Sequence, residues 1–264
     1  MLGKRETRIH SLTDLIRTRG FVSIKELAKQ FHVSEMTIRR DLEVLKKNRV
    51  ADNVGGTAFY RPANAGVLSD PDYNLSEELV KQNIQKDNIG RFAASLIDKD
   101  DIVIIDTGTT TERIAPYIPE NLNITVLCYS TNILQELNRK TSIQLLFAGG
   151  YYHPKTQMFE STQGIQFIQS IRAKKVFISA AGIHPELGVT CVNNYEVPTK
   201  HAILKSSLQK ILVADSSKFD KIRPAYFCDL QQIDTVITDD GLPSHWIDLL
   251  TSEGINVQIV PSIK

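Results

Sequence analysis

Cysteine is scarce: three residues, Cys128, Cys191 and Cys228, in a chain of 264. Their odd count, wide separation and lack of CxxC spacing argue against a disulfide framework or a structural zinc site. The six histidines (10, 32, 153, 184, 201 and 245) are scattered without ligand spacing, so no metal site is expected. No apolar run approaches the length of a membrane span. The opening Met-Leu-Gly-Lys-Arg-Glu-Thr-Arg is charged and has no signal-peptide core, so the chain is expected to be cytoplasmic and to stay off membranes. Neither the dinucleotide fingerprint Gly-x-Gly-x-x-Gly nor a P-loop Gly-Lys-Ser/Thr occurs after a predicted strand, and no cofactor is expected. Internal repeats and low-complexity segments are absent as well. The single tryptophan, Trp246, follows Pro243-Ser244 and reads as a core or helix-start residue.

What is present is unevenly distributed. Residues 1–61 hold 13 Lys and Arg against 7 Asp and Glu, a net +6, and the remainder holds 18 against 23, a net −5. A basic first quarter on an acidic body points to a nucleic-acid module joined to something else. Within that quarter, Ile38, Leu42 and Leu45 share one helix face at i, i+4 and i+7. Met36, Arg40 and Glu43 take the opposite face, with Thr37 and Arg39 on its flanks, and Ser34 is a good N-cap. Arg, Thr and Met on such a front suit guanine edges, base edges and thymine methyls in a major groove; a solvated helix with two surface arginines is the plainer alternative. Ser23-Ile24-Lys25-Glu26 reads as a capping box opening a preceding helix, 24–31, with His32-Val33 as the turn between them. Upstream, Ile9, Leu12, Leu15 and Ile16 stripe a first helix ended by Gly20. Downstream, 49–60 carries Gly55-Gly56 and suits a β-hairpin. Three helices and a hairpin make a winged helix-turn-helix, with Ser34, Met36, Thr37, Arg39, Arg40, Gly55 and Gly56 as candidate contacts to double-stranded DNA.

The aperiodic stretch 61–74, with Pro62, Gly66 and Pro71, reads as a linker. The expected division is 1–60, linker 61–75, and a second domain 76–264. Ser76 is expected to cap a long helix reaching about Asp98, with Val80, Ile84, Phe92, Ala93, Leu96 and Ile97 as its apolar face and Gly90 inside it. Then short Val- and Ile-rich runs alternate with helical stretches: 102–105, 125–129, 143–147, 175–179, 211–214 and 235–238 as strands, 133–138 and 196–208 as helices. This predicts an α/β domain with a mainly parallel sheet.

In such sheets ligands bind at the carboxyl ends of the strands. Asp106, Gly108, Thr109, Thr110 and Thr111 follow the first strand and precede a helix expected from about Glu112. A hydroxyl-rich turn there can cradle a phosphate; an ordinary strand-to-helix turn is the alternative. Thr131-Asn132, Gly149-Gly150, Asn194, Glu196, Lys200, Asp215 and Lys218 are further polar candidates. Asn, Glu and Asp suit sugar hydroxyls and the lysines suit a phosphate. Against that stand a surface pair between Glu196 and Lys200 and a turn cap at Asp215.

Two sets of strings resemble the DeoR family of bacterial transcriptional regulators. In the first part they are Val22-Ser-Ile-Lys-Glu-Leu-Ala, Val33-Ser-Glu-Met-Thr-Ile-Arg-Arg-Asp-Leu and Gly55-Gly56. In the second they are the Asp-x-Gly-Thr-Thr turn, Thr-Asn opening a helix, Gly-Gly after a strand, Asn-x-Glu with a Lys four on, and Ala-Asp-Ser-Ser-Lys-Phe. The resemblance runs from the first helix to Ile237-Thr-Asp. It departs at the wing, where Ala51-Asp52-Asn53-Val54 stands in place of the family's usual basic residue and His, leaving open how the wing grips phosphate. The resemblance implies a ribose-5-phosphate-isomerase-like effector domain, binding of a phosphorylated sugar, an oligomer of dimer size or larger, and a regulator, most often a repressor, of carbohydrate metabolism. The competing reading is a phosphosugar isomerase with an appended DNA-binding domain. The isomerase runs Asp-Gly-Ala-Asp-Glu and Lys-Gly-Gly-Gly are absent, and the comparable Ser179-Ala-Ala-Gly-Ile has no carboxylate, so no catalytic residue is expected.

Overall fold

The computed structural model describes residues 4–19, 21–48, 50–60, 74–78 and 81–262. The expected cap at Gly20, Val80 of the expected apolar face, and 61–73 of the predicted linker lie outside them.

The first unit runs α1 (Lys4–Arg19), β1 (Phe21–Ser23), α2 (Ile24–Gln30), α3 (Glu35–Lys47), β2 (Ala51–Val54) and β3 (Thr57–Tyr60). α2 starts where the Glu26 N–H donates to Ser23 Oγ at 3.1 Å. The Glu26 carboxylate, expected to close the box, pairs with Arg19 at 2.6 Å. His32, at φ +52°, turns the chain between α2 and α3. Leu12, Ile16, Leu27, Ile38, Leu42 and Leu45 fill one core, and each contributes roughly 1.5–3 kcal/mol by leaving water. β3 pairs antiparallel with both β1 and β2. The β2–β3 turn places Gly55 and Gly56 at φ +56° and +81°, the two left-handed positions of a tight hairpin turn.

The single long helix expected from Ser76 is broken. α4 (Leu75–Glu78) is followed by α5 (Asn83–Ser95), which begins after Gln82 in the left-handed region. The break changes the phase, so Ile84 is exposed while Lys86, Ile89, Ala93 and Ala94 are buried. α5 runs through Gly90, where an added Cβ would sit 2.4 Å from Arg113 Cβ; glycine lets the two segments approach.

Next come β4 (Ile102–Ile105), β5 (Thr125–Cys128), α6 (Thr131–Leu137), β6 (Gln144–Phe147), β7 (Tyr151–His153), β8 (Met158–Glu160), α7 (Thr162–Ser170) and β9 (Ala173–Ser179). They are followed by β10 (Gly182–His184), β11 (Gly188–Cys191), α8 (Val197–Lys205), β12 (Ser207–Val213), β13 (Ala225–Cys228), β14 (Thr235–Asp239), α9 (Ser244–Ser252) and β15 (Asn256–Val260). The helix expected from Glu112 is a 3-10 helix, Thr111–Tyr117, with Pro116 inside it, where the ring removes an amide donor. The helix expected to reach Leu208 stops at Lys205, and Leu208 lies in β12.

Seven strands form a wholly parallel sheet in the order β15-β14-β12-β9-β4-β5-β6. Alternate residues feed opposite cores. Ile104, Leu127, Val176, Ile178 and Leu212 pack under α7–α9, and Val103, Ile105, Val126, Phe177 and Val213 pack under α5 and α6. From β4 the chain first builds outward through β5 and β6, then returns to the other side of β4 at β9. The switch point is therefore the β4–β9 crevice. β10, β11 and β13 form a small antiparallel sheet and β7–β8 a hairpin.

Candidate functional site

The first site is the outer face of α3. The Thr37 N–H donates to Ser34 Oγ at 3.2 Å, and the two hydroxyls are 2.9 Å apart. With Ile38, Leu42 and Leu45 buried, Met36, Arg39 and Arg40 are exposed on the far side and Thr37 is half-buried. Asp41 shares the buried face, 1% exposed, and receives Arg5 Nε at 3.2 Å and Arg8 Nε at 2.6 Å. The hydrogen bond to Asp41 raises the Arg8 pKa. Two arginines of α1 thus fix the rotation of α3. Asp52, in the stretch that departs from the family's usual basic residue and His, pairs with Lys46 near the end of α3 at 3.1 Å and joins wing to helix.

The second site lies at the switch point. Thr107, Gly108, Thr109 and Thr110 after β4, Ser179 at the end of β9 with Ala180 and Ala181 beyond it, and Lys218 after β12 line one cavity with Thr156, Cys191, Val192 and Glu196. Leu75 and Glu78 of α4 close it, leaving about 40 Å³, roughly the room of a few waters. Lys218 Nζ is 3.1 Å from Glu78 Oε2. Burial would raise the Glu78 pKa, but Lys81 and Lys218 outweigh it and hold the carboxyl down at about 2. Glu196 accepts from the Asn193 backbone N–H and side-chain amide at 3.0 and 2.9 Å, closing a capping box. Burial raises its pKa against the opposing pull of Lys200 and Asn193.

Behind the cavity wall is a buried polar knot. Asp106 Oδ2 accepts from the Ser179 N–H and Oγ, each at 2.8 Å, and from Lys200 Nζ at 2.5 Å. The Tyr129 hydroxyl donates to Oδ1. Lys200 also donates to the Ser179 carbonyl at 2.9 Å and lies over the Phe227 ring. Burial alone would lower the Lys200 pKa, but Asp106, Cys191 and Glu196 raise it by more. Lys200 is neither a surface partner of Glu196 nor a lining residue. Its charge is spent on Asp106, which ties β4 to β9.

The remaining candidates separate. The Thr111 hydroxyl turns inward to the Gly108 carbonyl at 3.1 Å. Thr131 bonds the Gln157 carbonyl, and Asn132 bonds Glu112. Gly149 accepts from Ser161 Oγ, and Gly150 lines a different cavity of about 250 Å³ beside Phe21, Phe59 and Tyr60. Asn194 is half-buried in the turn before α8, and Asp215 caps the Ser216–Lys218 turn through the Ser217 N–H. Of the predicted effector residues, the cavity lining brings together Gly108, Thr109, Thr110, Glu196 and Lys218.

Residues 8–60 match the family model of the DeoR-like helix-turn-helix domain, and residues 81–240 match that of the DeoR C terminal sensor domain. The chain belongs to the DeoR family. It is 35% identical over 240 residues to the deoxyribose operon repressor of Escherichia coli (strain K12), covering 89% of this chain and 91% of that one. It is 27% identical over 257 residues to the glycerol-3-phosphate regulon repressor of the same strain, covering 97% and 99%. Among solved structures it is similar to ribose 5-phosphate isomerase A from Methanocaldococcus jannaschii, at 12% identity and TM-score 0.39, over 55% of each chain.

In this DeoR-family chain, sequence reasoning passed over Asp41, Glu78, Lys86, Tyr129, Thr156 and Ser179. Asp41 had a signal, a carboxylate at i+3 on an apolar helix face. Ser179 ends the central strand β9, and a polar residue there was another. Thr156 lies between β7 and β8, two strands too short to show a period.

Proposed function

We propose that this DeoR-family chain is a transcriptional repressor of a carbohydrate operon, reading operator DNA with α3 and the wing and released by a phosphorylated sugar. The observation that carries the sensing half is Lys218 lining a switch-point cavity together with the Gly108–Thr110 turn and paired with a carboxylate. A phosphate offers the same charge and acceptor geometry as that carboxylate. Thr109 and Thr110 supply hydroxyls, and Glu196 faces the sugar. The reading half rests on exposed Met36, Arg39 and Arg40 in front of a helix anchored by Asp41. Relatives named as repressors of a deoxyribose operon and a glycerol-3-phosphate regulon support both halves, and they favour regulation over phosphosugar turnover.

The division we assign is 1–60 for reading, 61–75 as linker and 76–264 for sensing, with Leu75, the linker's last residue, already the first of α4. A single winged helix makes few base contacts, so operator half-sites call for a homo-oligomer of dimer size or larger. For a ligand to change transcription it must bind the DNA-competent and DNA-incompetent arrangements unequally, and a coupling of about 1–3 kcal/mol changes operator affinity roughly 5- to 150-fold. The test is fluorescence anisotropy on DNA selected in vitro for binding, titrated with a panel of pentose, hexose and triose phosphates, alongside thermal shift and light scattering. Release by a phosphorylated sugar, and not by its dephosphorylated form, is expected. Turnover of a panel member, or insensitivity to every one, would overturn the reading.

A further inference from the structure

Lys86 is unusual on the inner face of α5. It is 0% exposed among Ile89, Ala93 and Ala94, where an apolar residue would pack at lower cost. Its Nζ donates to the backbone carbonyl of Glu78 at 2.6 Å. Burial lowers its pKa to about 8; Asp215 and Glu78 oppose that shift, and Lys218 and Arg113 add to it. α4 therefore engages two lysines at once, Lys218 through the Glu78 carboxylate and Lys86 through the Glu78 carbonyl. Leu75 is buried and lines the same cavity as Glu78 and Lys218. At about 40 Å³ the cavity is far too small for a sugar phosphate, since ligand pockets run to roughly 300–1,000 Å³. Of its walls, the strand ends belong to the sheet and are backed by the buried Asp106–Lys200 knot. α4 is four residues long, and its first N–H is held by the Lys155 carbonyl at 2.9 Å. Unlike the strand ends, it is not part of the sheet. Its departure would remove the Glu78 charge and leave Lys86, Lys218 and Arg113 against Asp215, an excess of positive charge.

Resting on the sensor reading above, we propose that Lys86 is a second cation of the phosphate subsite. On this proposal α4 occupies that subsite as an internal surrogate, so that an entering phosphate takes both lysines and expels α4. Since α4 follows the winged helix in the chain, separated from it by residues 61–73, its expulsion delivers the binding event to the DNA-reading side.

The test uses the full chain, with inorganic phosphate and ribose 5-phosphate as probes. Calorimetry compares the parent with Glu78→Gln, Lys86→Met and Lys218→Ala, and hydrogen–deuterium exchange follows residues 74–78. Glu78→Gln, which removes the competing charge, is expected to bind the probes about threefold more tightly. Lys86→Met should bind about tenfold more weakly, and exchange at 74–78 should rise when either probe is added to the parent. Weakened binding in Lys218→Ala, with unchanged affinity in Glu78→Gln and unchanged exchange at 74–78, would leave the phosphate reading standing and overturn this proposal. Parent-like binding in Lys218→Ala would overturn the phosphate reading itself. If Lys86→Met does not fold, Glu78→Gln and the exchange measurement still decide.

Discussion

Replacing Lys200 by methionine tests whether this lysine holds the sheet together or holds a ligand. Its ammonium is 1% exposed and sits 2.5 Å from Asp106 Oδ2, itself 0% exposed. The substitution keeps the length of the side chain and leaves a carboxylate buried with three donors, from the Ser179 N–H, Ser179 Oγ and Tyr129 hydroxyl. Removing one partner of a buried pair costs about 3–5 kcal/mol, and the surviving donors place this case near the lower figure. At about 2–4 °C per kcal/mol for a domain of this size, the melting temperature should fall by roughly 6–12 °C. Asp106→Asn combined with Lys200→Met removes both charges and should recover most of the loss, giving a coupling of at least about 2 kcal/mol. Trp246, the only tryptophan, is buried in the sensor core with its Nε1–H on Asp220 at 3.1 Å. Its fluorescence in a urea titration reports the sensor domain without interference from the winged helix. A loss below about 1 kcal/mol in Lys200→Met, or a double variant no more stable than the single, would refute the structural role.

On DNA selected for binding by the parent, Arg39→Ala and Arg40→Ala should each lose about 1–3 kcal/mol of affinity; gel-shift titrations in which both bind like the parent would remove α3 as the reading element. Gly108→Val puts a Cβ 2.6 Å from Ser179 Cβ, so the variant should keep DNA binding and lose the thermal shift with sugar phosphates. A parent-like shift would place the ligand elsewhere. Arg8→Ala leaves buried Asp41 with exposed Arg5 as its remaining ion-pair partner and should destabilise the winged helix by about 1–3 kcal/mol, read as a lower melting transition for that domain only. Glu78 has a folded pKa of about 2 against an ordinary 4.5. A depressed carboxylate pKa means its contribution is complete above 4.5 and lost as pH falls toward 2. Exchange at 74–78, corrected for intrinsic rates, should therefore rise on acidification in the parent and show no such step in Glu78→Gln; a step of equal size in both would assign it to another group.

Local rules were enough for much of this chain. Ser34 caps α3 and Ile38, Leu42 and Leu45 form its buried stripe because capping and the 3.6 period act within one turn. The strand cores 102–105, 125–128 and 235–238 show as apolar runs because they are buried on both faces, and Gly55-Gly56 marks a turn that needs two left-handed residues. β7, β8, β10, β11 and β13 left no such mark. They are three or four residues long, and their pairing partners, not their own pattern, make them strands. The sequence also placed polar groups at strand ends without saying which ends meet. Strand order does that. β4, β9 and β12 are neighbours, so Gly108, Ser179 and Lys218 share one cavity, whereas Thr131 follows β5 and Gly149 follows β6, on the far side of β4. Nor could spacing distinguish Lys200 from Lys218. Lys200 lies on α8 against the sheet and is drawn in by Asp106, 94 residues earlier in the chain. Lys218 lies on a short turn past β12, where its counter-charge is Glu78 from α4. Whether a lysine binds a ligand or braces a fold depends on which carboxylate lies within reach, and that distance is a property of the packed sheet.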